Sequence, residues 1–91
     1  MEIQHLKYFV EVVRHESFTR AAAQLFVTQP MLTRSIKQLE EELDIKLIER
    51  TSKSFRLTDA GRILYERSLK FLMEYEDLFQ SMADVRSATV G

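Results

Sequence analysis

Apolar residues recur at helical spacing along nearly the whole chain, and helix breakers are scarce: 91 residues contain two Gly and one Pro. Such a chain can build long helices joined by short connections. Ile3, Leu6, Phe9, Val10 and Val13 form a first stripe, which ends near His15-Glu16-Ser17. Ser17 is placed to cap a short second helix carrying Phe18, Ala21, Ala22 and Leu25, because its side-chain oxygen can take an orphan N–H of the first turn. Phe26-Val27-Thr28 reads as a tight connection. Thr28 suits the next N-cap, and Pro30 fits the first turn, where its missing N–H would be unpaired anyway. Leu32, Ile36, Leu39 and Leu43 then share a stripe that is expected to face a core.

After Asp44 the period changes. Lys46–Arg50 is short and rich in Ile and Leu, Phe55–Leu57 alternates apolar and basic, and Thr51-Ser52-Lys53-Ser54 between them is a polar turn. That pattern predicts a small β-hairpin. Thr58 caps a final helix with Asp59 in its first turn, where the helix dipole favours an acid. The order is helix, helix, tight turn, helix, two-stranded ribbon, long helix. It predicts a mainly α winged helix-turn-helix, three helices plus a two-stranded β wing, over residues 1–58. A long C-terminal linker helix follows over 59–91, with a frayed end.

Several function classes are disfavoured. The chain is 45% apolar and 30% charged, which suits an ordered, helix-rich protein. No apolar run approaches the roughly 20 residues of a membrane-spanning helix, and the start lacks the pattern of a signal peptide. There is no Cys, hence no disulfide or thiolate metal site, which fits a reducing cytoplasm. His5 and His15 lie far apart with no converging carboxylates, so no metal is expected, and His15 is explained by the dipole at a helix end. Glu40, Glu41 and Glu42 point to different helix faces, with Glu41 as an i, i+4 partner of Lys37. No nucleophile–base pair or Gly-rich phosphate loop is visible, so neither an enzyme nor a cofactor is expected.

The net charge of −1 conceals a segregation. Arg14, Arg20, Arg34 and Lys37 are offset by Glu16 alone, and Lys46, Arg50, Lys53 and Arg56 by Glu49 alone. Acidic residues crowd between these stretches, at Glu40–Glu42 and Asp44. On the third helix the arc opposite the core carries Pro30, Thr33, Arg34 and Lys37 before Glu41 and Asp44, with Gln29 on its flank. A helix that enters the DNA major groove by its N-terminal turns needs this layout: its leading half meets bases and phosphates, and its acidic trailing half leans away from the polyanion. An ordinary amphipathic helix with mixed surface charge would look the same in isolation.

From Ser17-Phe18-Thr19-Arg20-Ala21-Ala22 through Leu25-Phe26-Val27-Thr28-Gln29-Pro30 the sequence resembles the LysR-type transcriptional regulators. Further matches are Thr33-Arg34, Ile36, Leu39-Glu40, Leu43, Leu47, Arg50 and Leu57-Thr58-Asp59-Ala60-Gly61. The resemblance runs without gaps over essentially the whole chain. It implies a bacterial DNA-binding domain whose Thr28, Gln29, Pro30, Thr33 and Arg34 lie at the major groove of a double-stranded, pseudo-palindromic operator. It also implies a wing around Arg50, Thr51 and Lys53 that reaches backbone or minor groove. Met31 and Lys37 join these residues by their exposure on the same helix. The usual pattern is broken at Glu16 and Asp44, which stand where Gly is common, at Ile48 in place of Phe, and at the bulky pair Met31-Leu32. Asp44 is expected in a left-handed conformation, which Asp tolerates better than most residues.

Asp59 to about Ala88 would run roughly 45 Å as a helix. Leu64, Ser68, Phe71, Tyr75, Leu78, Met82 and Val85 alternate at spacings of four and three, a coiled-coil seam that Leu72 and Phe79 widen. Residues up to about Leu69 can pack on the first helix, whereas the far half needs a second chain, which makes a homodimer the expectation. Family members continue into an effector-binding domain for which this chain has no room, so it is expected to be part of a longer regulator. Contact with a small-molecule effector, and any assembly beyond the dimer, would belong to that longer protein. The alternatives are a helical coiled-coil adaptor that ignores DNA, and a winged helix of another regulator family.

Overall fold

Three helices, α1 (Ile3–His15), α2 (Phe18–Leu25) and α3 (Gln29–Leu43), each stop on a non-glycine residue in the left-handed region. These residues are Glu16 (φ 50°), Phe26 (φ 59°) and Asp44 (φ 54°). The N–H after each turns back to a carbonyl of its helix: Ser17 to Val12, Val27 to Ala22 and Ile45 to Glu40. Each is the Schellman closure, which satisfies free carbonyls while reversing the chain in two residues. The starts of α2 and α3 are fixed by the two caps expected from sequence. Ser17 Oγ accepts the Arg20 N–H at 3.1 Å, and Thr28 Oγ1 accepts the Met31 N–H at 3.2 Å. This is a computed structural model describing residues 1–51 and 54–90.

The core lies where α1, α2 and α3 meet. Phe9 and Val12 from α1, Ala21 from α2, and Leu32 and Leu39 from α3 are fully enclosed, and Leu47 closes the base. Ala21 and Ala22 keep α2 thin enough to lie against both neighbours. Leu43, expected on the core stripe, is instead 38% exposed. The helix ends at that residue, and past the left-handed turn at Asp44 it is Leu47 and Ile48 that are buried in the core.

The hairpin pairs β1 (Ile48–Arg50) with β2 (Phe55–Leu57) antiparallel, setting Glu49 opposite Arg56 and Arg50 opposite Phe55. Its first strand is shorter than the expected Lys46–Arg50 because Lys46 and Leu47 are engaged elsewhere. Thr58 Oγ1 reaches the Lys46 carbonyl at 2.7 Å, and the Thr58 N–H donates to the Leu47 carbonyl at 3.0 Å. The same Oγ1 accepts the Gly61 N–H at 3.0 Å, so one threonine caps α4 (Asp59–Val90) and ties it to the root of the wing. Gly61 is obligatory at this crossing: a Cβ there would lie 2.1 Å from the Leu47 carbonyl oxygen and 2.7 Å from Leu57 Cδ1.

The opening of α4 packs into the core through Ala60, Leu64 and Tyr65, with Ser68 buried behind them. Beyond about Tyr75 the helix leaves the head, and it accounts for most of the molecule's 57 Å length. Leu72 and Tyr75, expected in the uncovered half of the seam, are half-buried against their own chain. Leu72 lines a groove with Val10 and Arg14 of α1, and Lys7 Nζ lies 5.9 Å from the Tyr75 ring centre. Intramolecular cover therefore extends two turns past Leu69. Among the described residues no helix is long and apolar enough to cross a membrane.

Candidate nucleic-acid interface

The leading half of α3 is held in place by its core stripe, Leu32, Ile36 and Leu39, and what remains outward is polar and non-acidic. Pro30, Met31, Arg34 and Lys37 are exposed, while Gln29 and Thr33 are half-buried. The Gln29 amide donates from Nε2 to Thr33 Oγ1 at 3.2 Å, one turn along the helix. This bond fixes the rotamer of Gln29 and leaves its carbonyl oxygen and second N–H for another partner. Thr28 Oγ1 accepts the cap bond and keeps its own proton for another partner. Arg34 and Lys37 form no ion pair among the described residues. The expected pair of Lys37 with Glu41 is absent.

The acid that matters is the neighbouring Glu40. Its Oε2 accepts the N–H groups of Leu47 at 2.8 Å and Ile48 at 3.2 Å, and Lys46 Nζ lies 3.7 Å from Oε1. Only 11% of the side chain is exposed. Glu40 thus fixes the start of the wing directly to α3. Nothing in local spacing announces this, because the partners lie seven and eight residues on, across a chain reversal.

A second tie joins the wing to α2. The Arg50 guanidinium lies 4.3 Å above the centre of the Phe18 ring, and the Phe18 and Phe55 rings pack tilted at 6.5 Å. Arg50 remains exposed, so its outer edge can meet a phosphate while its face is held. Thr51 closes the wing turn. Its Oγ1 accepts the Ser54 N–H at 3.1 Å, and its own N–H donates to the Ser54 carbonyl at 3.2 Å. Lys53, the remaining expected wing contact, lies outside the described residues. Among the described residues, no cluster of three His, Cys, Asp or Glu side chains could hold a metal.

The structure therefore brings Gln29, Pro30, Met31, Thr33, Arg34 and Lys37 onto one helix and places Arg50 and Thr51 on the ribbon beside it. A tight-turn pair of helices with a β ribbon packed behind the second defines a winged helix-turn-helix protein. The sequence pattern described as "Bacterial regulatory helix-turn-helix protein, lysR family" matches residues 3–62, and the chain belongs to that family. BenM of Acinetobacter baylyi, an HTH-type transcriptional regulator, is 45% identical over 78 residues, covering 86% of this chain and 26% of that protein. The HTH-type transcriptional regulator YtlI of Bacillus subtilis is 40% identical over 91 residues, covering 100% of this chain and 29% of its own length. The chain thus spans under a third of these curated relatives. Among solved structures, the complex of the BenM DNA-binding domain with catB site 1 DNA superposes with a TM-score of 0.92 at 41% identity, covering 96% of this chain and 98% of that one. Full-length CbnR in complex with its target DNA gives 0.86 at 32% identity, covering 91% and 29%.

Proposed function

We propose that this chain is the DNA-binding and dimerisation part of a cytoplasmic lysR-family regulator, with α3 in the major groove of an operator and the wing on backbone or minor groove. The observation that carries the reading is the leading half of α3: a core-anchored helix whose outward arc, Gln29 to Lys37, holds donors and cations and no acid. Gln29 and Arg34 are the base readers in this account, since both side-chain types can pair bidentately with purine edges. Arg50 and Lys53 supply backbone contacts that carry no sequence information. The DNA complexes of BenM and CbnR support the same use of this fold.

Pairing of two copies is the second element. Phe71, Leu78, Phe79, Met82 and Val85 remain about half exposed or more along the outer α4. An apolar stripe of that length is normally covered. Leu64, Leu72 and Tyr75, largely satisfied within their own chain, act at the near edge of the seam. Two linked heads suit a pseudo-palindromic operator, because the second half-site binds at raised effective concentration. A C-terminal effector-binding domain, and any higher oligomer, are assigned to the longer protein of which relatives of this chain are examples. Anisotropy titration of a labelled operator duplex against salt tests the reading. Binding that weakens steeply with salt supports it, and indifference to DNA returns the chain to the adaptor class.

A further inference from the structure

The two flanks of α3 are unlike each other. The side carrying Thr33 and Lys37 faces the wing. The side carrying Met31, Arg34, Ser35 and Gln38 borders a cleft of about 230 Å³, whose other wall is the start of α1 with Gln4 and Tyr8. Glu2 and His5 of this cleft are paired in the capping box of α1, whereas its other polar groups lack partners among the described residues. Tyr8 is 7% exposed and its hydroxyl makes no hydrogen bond to any described residue. Ser35 is 8% exposed, with its hydroxyl unpaired and shut off from solvent at the cleft floor. The side chains of Gln4, Arg34 and Gln38 are equally without hydrogen bonds or ion pairs among the described residues. Glu2, at the rim, is the single acid among the lining residues.

The Tyr8 ring is buried but its hydroxyl still reaches solvent and has no acceptor among the described residues, so it is free to donate to a ligand in the cleft. A phenol and two carboxamides around one cleft are a set of donors suited to an oxygen-rich ligand. The dimensions say which one. A helix with its side chains is about 10–12 Å across, and the major groove is about 12 Å wide, so a helix seated there has a sugar–phosphate strand against each flank. The wing stands at one flank of α3, and this cleft stands at the other.

We propose that the cleft between α1 and α3 is a phosphodiester site. It would take a backbone phosphate of the strand opposite the wing, with the Tyr8 hydroxyl and the Gln4 and Gln38 amides donating to it. The proposal rests on the DNA-binding reading above and adds a third contact zone to it. Backbone contacts are independent of sequence, so a random-sequence 24-base-pair duplex serves as the probe.

Tyr8→Phe removes only the hydroxyl and keeps the ring in the core. Its affinity for the random duplex is expected to fall about three- to tenfold with an unchanged melting temperature. On duplexes of one sequence carrying a single neutral methylphosphonate at successive positions, wild type should lose affinity at a position where Tyr8→Phe does not. Gln38→Ala, at an exposed position, should repeat the pattern if Tyr8→Phe fails to fold. A folded Tyr8→Phe or Gln38→Ala variant with wild-type affinity and a wild-type methylphosphonate profile overturns the site and leaves DNA binding intact. Failure of wild type to bind any duplex overturns the DNA-binding reading, and the site with it.

Discussion

Glu40 Oε2 accepts the Leu47 N–H at 2.8 Å, across seven residues and a reversal of the chain. With Ile48 as its second donor, this one carboxylate sets the position of the wing relative to the recognition helix. Glu40→Ala leaves two backbone N–H groups without their acceptor and is expected to cost about 1–3 kcal/mol. Glu40→Gln keeps one acceptor oxygen and should lose less. Urea unfolding monitored by circular dichroism gives both values. Equal stability of Glu40→Ala and wild type would remove Glu40 from this role.

At the opposite end of the wing, Gly61→Ala should be among the costlier small substitutions in the chain. Alanine is favoured over glycine inside a helix by about 1 kcal/mol, so propensity alone predicts a gain. The new methyl would meet the Leu47 carbonyl, which is backbone and cannot rotate aside. Overpacking of this kind costs about 1–3 kcal/mol, and α4 must shift from the hairpin to relieve it. A lowered denaturation midpoint is expected, and a raised one contradicts the contact.

Gln29→Ala should lower affinity for the operator by about 1–3 kcal/mol and for random DNA by less. Thr33→Val, which removes the acceptor of the Gln29 amide, should reproduce part of that loss in specificity. Parallel titrations on operator and random duplexes give the two numbers. An equal fall on both would make Gln29 a backbone contact.

Leu78→Asp should convert a dimer into monomers, because it puts a charge in the middle of the exposed stripe formed by Phe71, Leu78, Met82 and Val85. Sedimentation at micromolar concentration reads this directly. An undisturbed dimer in the variant, or a monomeric wild type, would place the contact elsewhere.

The elements legible in the sequence were those that local chemistry decides. Period located the helices, and Ser17, Thr28 and Thr58 marked three starts because each satisfies N–H groups within three residues. Asp44 was readable as left-handed from its place after the helix, but Phe26 was not. A bulky aromatic carries no local signal for that conformation, and its ring is left 95% exposed. What escaped was everything that depends on the chain returning on itself. Glu40 acts across a turn, Arg50 is held by Phe18 from another helix, Tyr8 lies off the main stripe of α1, and Tyr75 meets Lys7 across two elements. The candidate residues on α3 could be grouped from the sequence because one helix presents them. Their support, supplied by residues distant in sequence, was not.

Salt dependence of duplex binding tests the central claim most directly. The chain should bind an operator duplex with an affinity that falls linearly on logarithmic axes as salt rises, and Lys53→Ala should reduce the slope by about one. Affinity for duplex that is absent at low salt, or that does not change with salt, would contradict the account.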